Sequence, residues 1–256
     1  MEDEVPLAGG NVGTVVRVGD TVRRAVGPWT DAVHELLRHL ESVGFAYSPR
    51  VLGFDDKGRE VLTFLEGETA GDHPWPRWVW TDETLVQAGT ILREYHEAAR
   101  DFRPIGPRTW RTVTGELAPD EIVGHHDLAP YNVVHRDGRL VGVIDWDFAA
   151  PASPSWDLAF TAWTFAPIHL PAHRAELGAP DDTARRIALL CDAYGLEDRG
   201  GLLDVVAERM VASIEGIERF AAAGDPAFIR LVADGHVARM RADADLLARH
   251  ADEWRG

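Results

Sequence analysis

"VGHHDLAPYNVVHRDGRLVGVIDWDF", residues 123–148, is the stretch that decides the fold of this chain. In its middle, Asp137-Gly138 separates two predicted strands, 133–136 and 140–144, and this dipeptide is the strongest short-range signal for a β-hairpin. Because the strands of a hairpin are antiparallel, Asn132 before the first strand and Asp145 after the second should lie side by side. Asp127, one loop away, should lie close to both.

An amide oxygen and two carboxylates in this arrangement suit chemistry on a phosphate. Mg²⁺ prefers hard oxygen ligands, of which the protein usually supplies only a few. Phosphoryl transfer also needs a carboxylate that orients the attacking hydroxyl and accepts its proton. The stretch therefore predicts Asn132 and Asp145 as metal ligands and Asp127 as the catalytic group.

The first 66 residues have the pattern of a small β-rich lobe with one helix. Strand signals at 15–18, 21–26, 51–54 and 60–65, with turn signals between them, predict an antiparallel sheet of about five strands. Apolar residues at helical spacing over 30–43 predict one amphipathic helix with Thr30 as its N-cap. The segment "AGGNVGT", residues 8–14, precedes the sheet, and its glycines permit a close approach of backbone to a ligand.

The rest of the chain is predicted to be mainly helical. The segment "ETAGDHPWPRWVW", residues 68–80, has no regular period and marks the seam between two lobes, residues 1–66 and 67–256. A helix is predicted over 81–100, and three helical stretches between 181 and 250 are separated at Gly195, Gly200-Gly201 and Gly224 to Pro226. The predicted fold class is α+β, with the sheet in the N-terminal lobe.

Composition limits the partners and the compartment. The formal charge of −16 disfavours nucleic acid and anionic membrane surfaces and slightly favours a cationic ligand. The single Cys191 excludes an internal disulfide framework and a multi-cysteine zinc site, as expected of a cytoplasmic protein. The sequence has no apolar run long enough for a signal peptide or a membrane span, so a soluble protein without a membrane partner is expected.

The segment "HHDLAPYN", residues 125–132, followed by "VIDWD", residues 143–147, resembles the catalytic and metal-binding loops of the aminoglycoside phosphotransferase and choline kinase-like family. This resemblance implies a two-lobed, protein kinase-like fold with a nucleotide-binding N-terminal lobe. It also implies transfer of a phosphoryl group from ATP, with Mg²⁺, to a hydroxyl of a small molecule. Aminoglycosides, amino alcohols and other antibiotics or metabolites are the acceptor classes that it suggests.

The same resemblance implies nucleotide-binding residues in the N-terminal lobe. Gly10 and Gly13 correspond to the loop that covers the phosphates, and Phe64 and Leu65 lie in the hinge whose backbone holds adenine. The helix over 30–43 corresponds to the one that supplies an acidic partner to a basic strand residue. Glu35 is the candidate for that partner.

Three departures from the family pattern matter. Where relatives commonly have a phosphate-binding lysine, this sequence has "TVRRAV", so Arg23 is the candidate and Arg24 the second choice. His126 stands where relatives often have glycine. Asp147 offers a second carboxylate next to Asp145, either as a further metal ligand or as a cap for the residues after it.

Two other functions remain open on the sequence alone. The missing lysine and the altered loop also suit a catalytically inactive nucleotide-binding regulatory module. A His/Asp metal-dependent hydrolase is favoured less, because no helical H-x-x-x-H pair is found and His125 is interpreted as a structural residue that binds loop backbone. The acceptor and the oligomeric state are left open by the sequence.

Overall fold

The computed structural model describes residues 3–7, 15–197 and 199–255. The chain forms two compact units: unit 1 contains residues up to Asp72 and 91–154, and unit 2 contains residues 73–90 and 155 onward. The lobe boundary expected between residues 66 and 67 stays a prediction.

Unit 1 contains a five-stranded antiparallel sheet in the order β1-β2-β3-β5-β4. Its strands are β1 (Val5–Pro6), β2 (Val16–Val18), β3 (Thr21–Arg24), β4 (Val51–Phe54) and β5 (Glu60–Thr63). The predicted β-rich region of about five strands is therefore confirmed.

One helix, α1 (Thr30–Ser42), lies between β3 and β4 in the sequence. Its buried side carries Leu36, Leu37 and Leu40, and the imidazole of His34 is buried with them. The helix is predicted correctly, but Thr30 is not its N-cap. Thr30 is already helical, and its hydroxyl accepts a hydrogen bond from the backbone N–H of Gly27 at 2.9 Å, which closes the turn that leads into the helix.

The decisive stretch folds as the hairpin that its sequence predicts. Strands β9 (Val133–Arg136) and β10 (Arg139–Val143) are joined by Asp137 and Gly138, whose φ angles of 53° and 78° are those of a type I′ turn. The register pairs Val133 with Val143, and the backbone N–H of Ile144 donates to the carbonyl of Asn132 at 2.9 Å. Asn132 and Asp145 therefore lie at the same open end of the hairpin.

A second strand pair holds the two ends of the same segment. Strand β8 (Ile122–Gly124) precedes the loop that contains Asp127, and it pairs in antiparallel fashion with β11 (Ala150–Ala152). Because β8 and β11 are paired, residues 125–149 are anchored at both ends. A short pair, β6 (Arg108–Thr109) and β7 (Thr114–Gly115), lies earlier in unit 1.

The other helices are α2 (Asp82–Ala99), α3 (Pro154–Phe165), α4 (Pro171–Leu177), α5 (Thr183–Tyr194), α6 (Leu202–Ala222), α7 (Pro226–Ala233) and α8 (His236–Trp254). Three helical stretches were expected in the region of α5 to α8, but the described residues form four. The difference arises at Gly235, whose left-handed φ of 77° separates α7 from α8. Within the described part of the chain, no helix is both long and apolar enough to cross a membrane. The α+β prediction is confirmed.

Candidate active site

The loop between β8 and β9 holds the carboxylate of Asp127 through two later side chains. The Tyr131 hydroxyl donates to Oδ1 of Asp127 at 2.9 Å, and Nδ2 of Asn132 donates to Oδ2 at 2.8 Å. Nδ2 also donates to the Asp127 carbonyl oxygen at 2.9 Å. Because an ionised Asp127 offers only acceptors here, the amide nitrogen of Asn132 faces it, and Oδ1 of Asn132 is left for another ligand.

His125 connects this loop to the end of β10. The backbone N–H of Asp127 donates to Nδ1 of His125 at 3.2 Å, so the ring proton is on Nε2, which donates to the carbonyl of Ile144 at 3.1 Å. The ring also packs edge-on against the buried Trp146, with 4.6 Å between centroids. His125 thus binds loop backbone, as predicted, and fixes Asp127 relative to the hairpin.

His126 adopts a backbone conformation that glycine would reach without strain. Its φ is 65°, in the left-handed region, and its side chain is buried. A glycine would adopt this conformation more easily, because it has no Cβ to oppose it. His126 instead places a buried imidazole in the loop.

Asp145 follows β10 in an unusual conformation. Its φ and ψ of 59° and 67° are left-handed, and a short 3₁₀ turn (Trp146–Phe148) follows. This reversal of the chain leaves the Asp145 side chain 46% exposed, whereas that of Asn132 is buried. An exposed carboxylate and a buried amide oxygen therefore stand at one end of the hairpin.

Arg24, at the end of β3, is the cation of this site. Its Nε lies 2.6 Å from Glu60, and its two terminal nitrogens lie 3.2 Å from Asp145 and 2.7 Å from Asp147. Burial opposes the charge, but the three carboxylates outweigh burial and raise the pKa of Arg24 above its ordinary value. Glu60 is itself buried and is bound on its other oxygen by His34 of α1 at 2.7 Å.

Arg23 and Glu35 lie elsewhere. Adjacent residues of a strand point to opposite faces, so Arg23 does not share the partners of Arg24; it lies 3.7 Å from Asp55. Glu35 accepts from Arg108 at 2.7 Å and from the backbone N–H of Ile105 at 3.0 Å. The expected pair of Arg23 with Glu35 is therefore not formed. Instead, Arg24 contacts Glu60, and Glu60 contacts His34.

Asp147 belongs to the same group of charges. Besides its contact with Arg24, it lies 3.6 Å from Arg111, whose guanidinium stacks 4.7 Å from the ring of Trp29. Burial raises the pKa of Asp147; Arg24 opposes that shift and the neighbouring Asp145 carboxylate reinforces it. Asp147 is thus held by two arginines, while Asp145 is the more accessible carboxylate.

The predicted hinge residues are half-buried beside the hairpin. The backbone N–H of Phe64 donates to the backbone carbonyl of Asp20 at 2.8 Å, and the guanidinium of Arg17 lies 3.9 Å from the centroid of the Phe64 ring. Leu65 packs against Gly142 of β10 so closely that a Cβ on Gly142 would collide with it. Gly10 and Gly13 lie outside the described residues.

Four residues of the site were missed by the sequence reasoning: Tyr131, His34, Glu60 and Arg111. Glu60 has a weak signal, since it is an acid at the start of an apolar strand, and His34 is a polar residue within the apolar stripe of α1. Tyr131 and Arg111 carry no local signal, because their partners depend on how the loops fold.

Comparison with known proteins gives three kinds of match. A model of the family described as "Phosphotransferase enzyme family" matches residues 107–190. The trifolitoxin immunity protein of Rhizobium leguminosarum bv. trifolii is 42% identical over 212 residues, which cover 80% of this chain and 79% of that protein. A homoserine kinase of Granulibacter bethesdensis is 29% identical over 171 residues, and that match spans about half of each protein, 52% and 53%.

A solved structure of an amicoumacin kinase, in complex with AMP-PNP and Ca²⁺, superposes with a TM-score of 0.65. The two share 12% identity, and the match covers 94% of this chain and 87% of the kinase. At this identity the likeness concerns the fold alone. The expected kinase-like fold is confirmed.

Proposed function

This chain belongs to the phosphotransferase enzyme family, and from that premise we propose that it transfers the γ-phosphoryl group of ATP to a hydroxyl of a small molecule. The observation that carries the proposal is the binding of Asp127 by Tyr131 and Asn132. A carboxylate held on both oxygens is positioned, and an ionised carboxylate has about four lone-pair sites in all with which it can accept a hydrogen bond from a further donor. The acceptor hydroxyl is that donor, and Asp127 orients it and takes its proton.

The residues at the open end of the hairpin suit a magnesium ion. Asn132 contributes Oδ1, because its nitrogen is used by Asp127, and Asp145 contributes an exposed carboxylate. Both are hard oxygen donors, and two protein ligands are what Mg²⁺ commonly takes when it also binds phosphate and water. When bound, Mg²⁺ supplies charge neutralisation for the nucleotide phosphates. Asp147 contacts Arg24 and Arg111, and its proposed role is to position these two arginines.

Arg24 takes the place of the family's phosphate-binding lysine in this proposal. Its Nε lies 2.6 Å from Glu60, and its two terminal nitrogens donate as a fork to Asp145 and Asp147. Such a fork matches phosphate oxygens in a bidentate manner. On this geometry we assign phosphate binding to Arg24 and not to Arg23, the first candidate. Glu60, which is bound by His34, takes the place of Glu35 as the acidic partner of the phosphate-binding residue.

For the remaining nucleotide contacts, we propose the residues that the resemblance to the aminoglycoside phosphotransferase and choline kinase-like family implies. Phe64 and Leu65 bind adenine through the hinge backbone, and Gly10 and Gly13 cover the phosphates. A cytoplasmic location is part of the same proposal; the proposed use of ATP and the free, buried thiol of Cys191 support it.

The acceptor is proposed to be a hydroxyl-bearing toxin or antibiotic. The support is the relative at 42% identity, which is named as an immunity protein against trifolitoxin and matches 80% of this chain. The homoserine kinase matches only about half, so a small amino-alcohol metabolite is the second candidate. Phosphorylation adds charge to a hydroxyl that a toxin would use to bind its target, and in this way it gives immunity.

The test is a panel of hydroxylated antibiotics, aminoglycosides, amino alcohols and homoserine with the purified chain, ATP and Mg²⁺. ADP release and a mass gain of one phosphoryl group on one acceptor class are expected. The same chain, expressed in a sensitive bacterium, should protect it from the compound that is turned over.

Asp127→Ala is the variant that decides the role of Asp127. We expect it to lower kcat by at least about 10²- to 10⁴-fold, the usual contribution of a general base, while ATP affinity changes little. Asp137→Asn, an exposed acid at the hairpin turn where asparagine also tolerates positive φ, is the matched control and should retain full activity.

Equal losses of ATP affinity and turnover in Asp127→Ala would contradict the proposal that Asp127 acts on the acceptor hydroxyl and not on nucleotide binding. ATP binding without turnover of any acceptor would favour the inactive regulatory module instead.

A further inference from the structure

A second group of metal-ligating side chains lies in unit 2. His169 lies two residues before the start of α4, His173 is in the first turn of α4, and Asp243 is in the middle of α8. The two histidines have the H-x-x-x-H spacing that the sequence reasoning did not find on a helix. The pair is not fully helical, because α4 begins only at Pro171.

The donor atoms of these three side chains converge on one point. Oδ2 of Asp243 lies 2.7 Å from Nδ1 of His169 and 3.3 Å from Nδ1 of His173, and all three ligand atoms lie within 4.8 Å of one another. In a tetrahedral zinc site, bonds of about 2.0–2.2 Å place neighbouring ligand atoms about 3.3 Å apart. Small side-chain movements therefore suffice to admit an ion.

The buried carboxylate of Asp243 also favours a bound cation. Its carboxylate is only 2% exposed, and its other oxygen accepts from the backbone N–H of Leu170 at 2.8 Å. Among the described residues, no arginine or lysine forms an ion pair with it. Buried charges in proteins are paired or coordinate metals.

The two imidazoles lie close together, with 4.3 Å between their ring centroids, so a single ion can bind both rings. A divalent ion balances the carboxylate and binds both rings in their neutral form, with the ring protons on Nε2.

We propose that the chain binds one zinc-class transition-metal ion through Nδ1 of His169, Nδ1 of His173 and Oδ2 of Asp243. Imidazole nitrogens select such ions over magnesium. Three protein ligands leave a fourth tetrahedral position for water or another donor. The ion ties the segment that leads into α4 to the middle of α8.

Cobalt titration of the full-length chain, after removal of metal with a chelator, tests this site. One equivalent of Co²⁺ should give the intense visible absorption of tetrahedral cobalt, and Zn²⁺ should displace it. The oxygen ligands near Asp145 favour octahedral coordination, which absorbs only weakly, so that site does not imitate the signal.

His173→Gln and Asp243→Asn should each weaken Co²⁺ binding by at least about 100-fold, since loss of an outer-shell partner alone costs about 10- to 100-fold. His250→Gln removes a half-exposed histidine of the same α8 and should bind as the wild type does. Because Asp243→Asn is buried and can affect folding, Tm with and without Zn²⁺ is measured for every variant. Zn²⁺ should raise Tm only in the wild type and in His250→Gln.

Absence of the tetrahedral spectrum from the wild type would show that Asp243 is only a hydrogen-bond acceptor for the two imidazoles. An unchanged spectrum, or an equal rise in Tm, in both His173→Gln and Asp243→Asn would also overturn the proposal.

Discussion

Arg24 is the residue on which the charges of the candidate active site converge. Its neighbour Arg23 has the same side chain but faces the other side of β3 and pairs with Asp55. Which of the two serves the nucleotide therefore depends on the alternation of the strand and on the pairing of Arg24 with Glu60 across β3 and β5. The chemistry of the residue alone does not decide it.

Arg24→Lys tests the proposed phosphate contact. Lysine keeps the charge but is a single compact ammonium, so it cannot bind Glu60 and also present a fork to a phosphate. Loss of a charged hydrogen bond worth about 1.5–3 kcal/mol should raise the KM for ATP by about 10- to 100-fold. Arg23→Lys is the matched control. It should change the KM for ATP by less than about 2-fold, because Arg23 faces Asp55 on the other side of β3. A larger effect at Arg23 would return the phosphate role to that residue.

Tyr131 is expected to act through Asp127. Tyr131→Phe removes only the hydroxyl that donates to Oδ1 of Asp127, and the ring is already 40% exposed. A hydrogen bond worth about 1 kcal/mol in positioning should lower kcat by about 5-fold, whereas the KM for ATP and the Tm should hardly change. Steady-state kinetics beside thermal unfolding check this. A matching fall in Tm would mean that Tyr131 stabilises the fold and has no separate effect on Asp127.

At the scale of elements, the features that the sequence predicts well are local. Asp137-Gly138 specifies a tight turn by itself, and the turn then brings Asn132 and Asp145 together. The partner of Arg24 is not local, since it depends on the register of β3 with a strand that follows α1 in the chain. Gly235 illustrates a third case. It is the N-cap of α8 and follows Asp234, the C-cap of α7, and its left-handed φ separates the two helices, yet its sequence context resembles a continuing helix.

Two glycines inside helices should respond to alanine with opposite signs. In α6, Gly216 has open space where a Cβ would lie, so Gly216→Ala should stabilise the chain by about 0.5–1 kcal/mol through helix propensity and reduced freedom of the unfolded chain. In α2, a Cβ on Gly89 would lie 3.0 Å from Cβ of Ala193 and 3.1 Å from the carbonyl oxygen of Leu190.

Because neither of those atoms belongs to the end of a flexible side chain, α5 must move to admit the methyl group of Gly89→Ala. Overpacking of this kind costs about 1–3 kcal/mol and should exceed the gain in propensity. Chemical denaturation of both variants measures the two free energies of unfolding. Stabilisation by both substitutions would show that α5 yields easily.

At the scale of the whole molecule, the excess of 42 acidic over 26 basic residues gives a formal charge of −16. A field of this sign raises the local concentration of cations and lowers that of anions around the chain. The proposed nucleotide, ATP, would bind against this field, and the arginines near Asp145 and Asp147 would offset the repulsion. A cationic acceptor would bind with the help of the same field.

Ionic strength separates a cationic acceptor from a neutral one. As salt rises from about 0.01 to about 0.15 M, the Debye length falls from about 30 to about 8 Å, and the long-range attraction of a cation is largely screened. For a cationic acceptor at saturating Mg-ATP, kcat/KM should fall by roughly 10-fold over this range, within the usual span of electrostatic steering. An uncharged hydroxylated acceptor has no attraction to lose, so its kcat/KM should stay nearly constant. Equal salt responses of both acceptors would place the effect on nucleotide binding or on the chain itself, and the net charge would then have no part in selecting the acceptor.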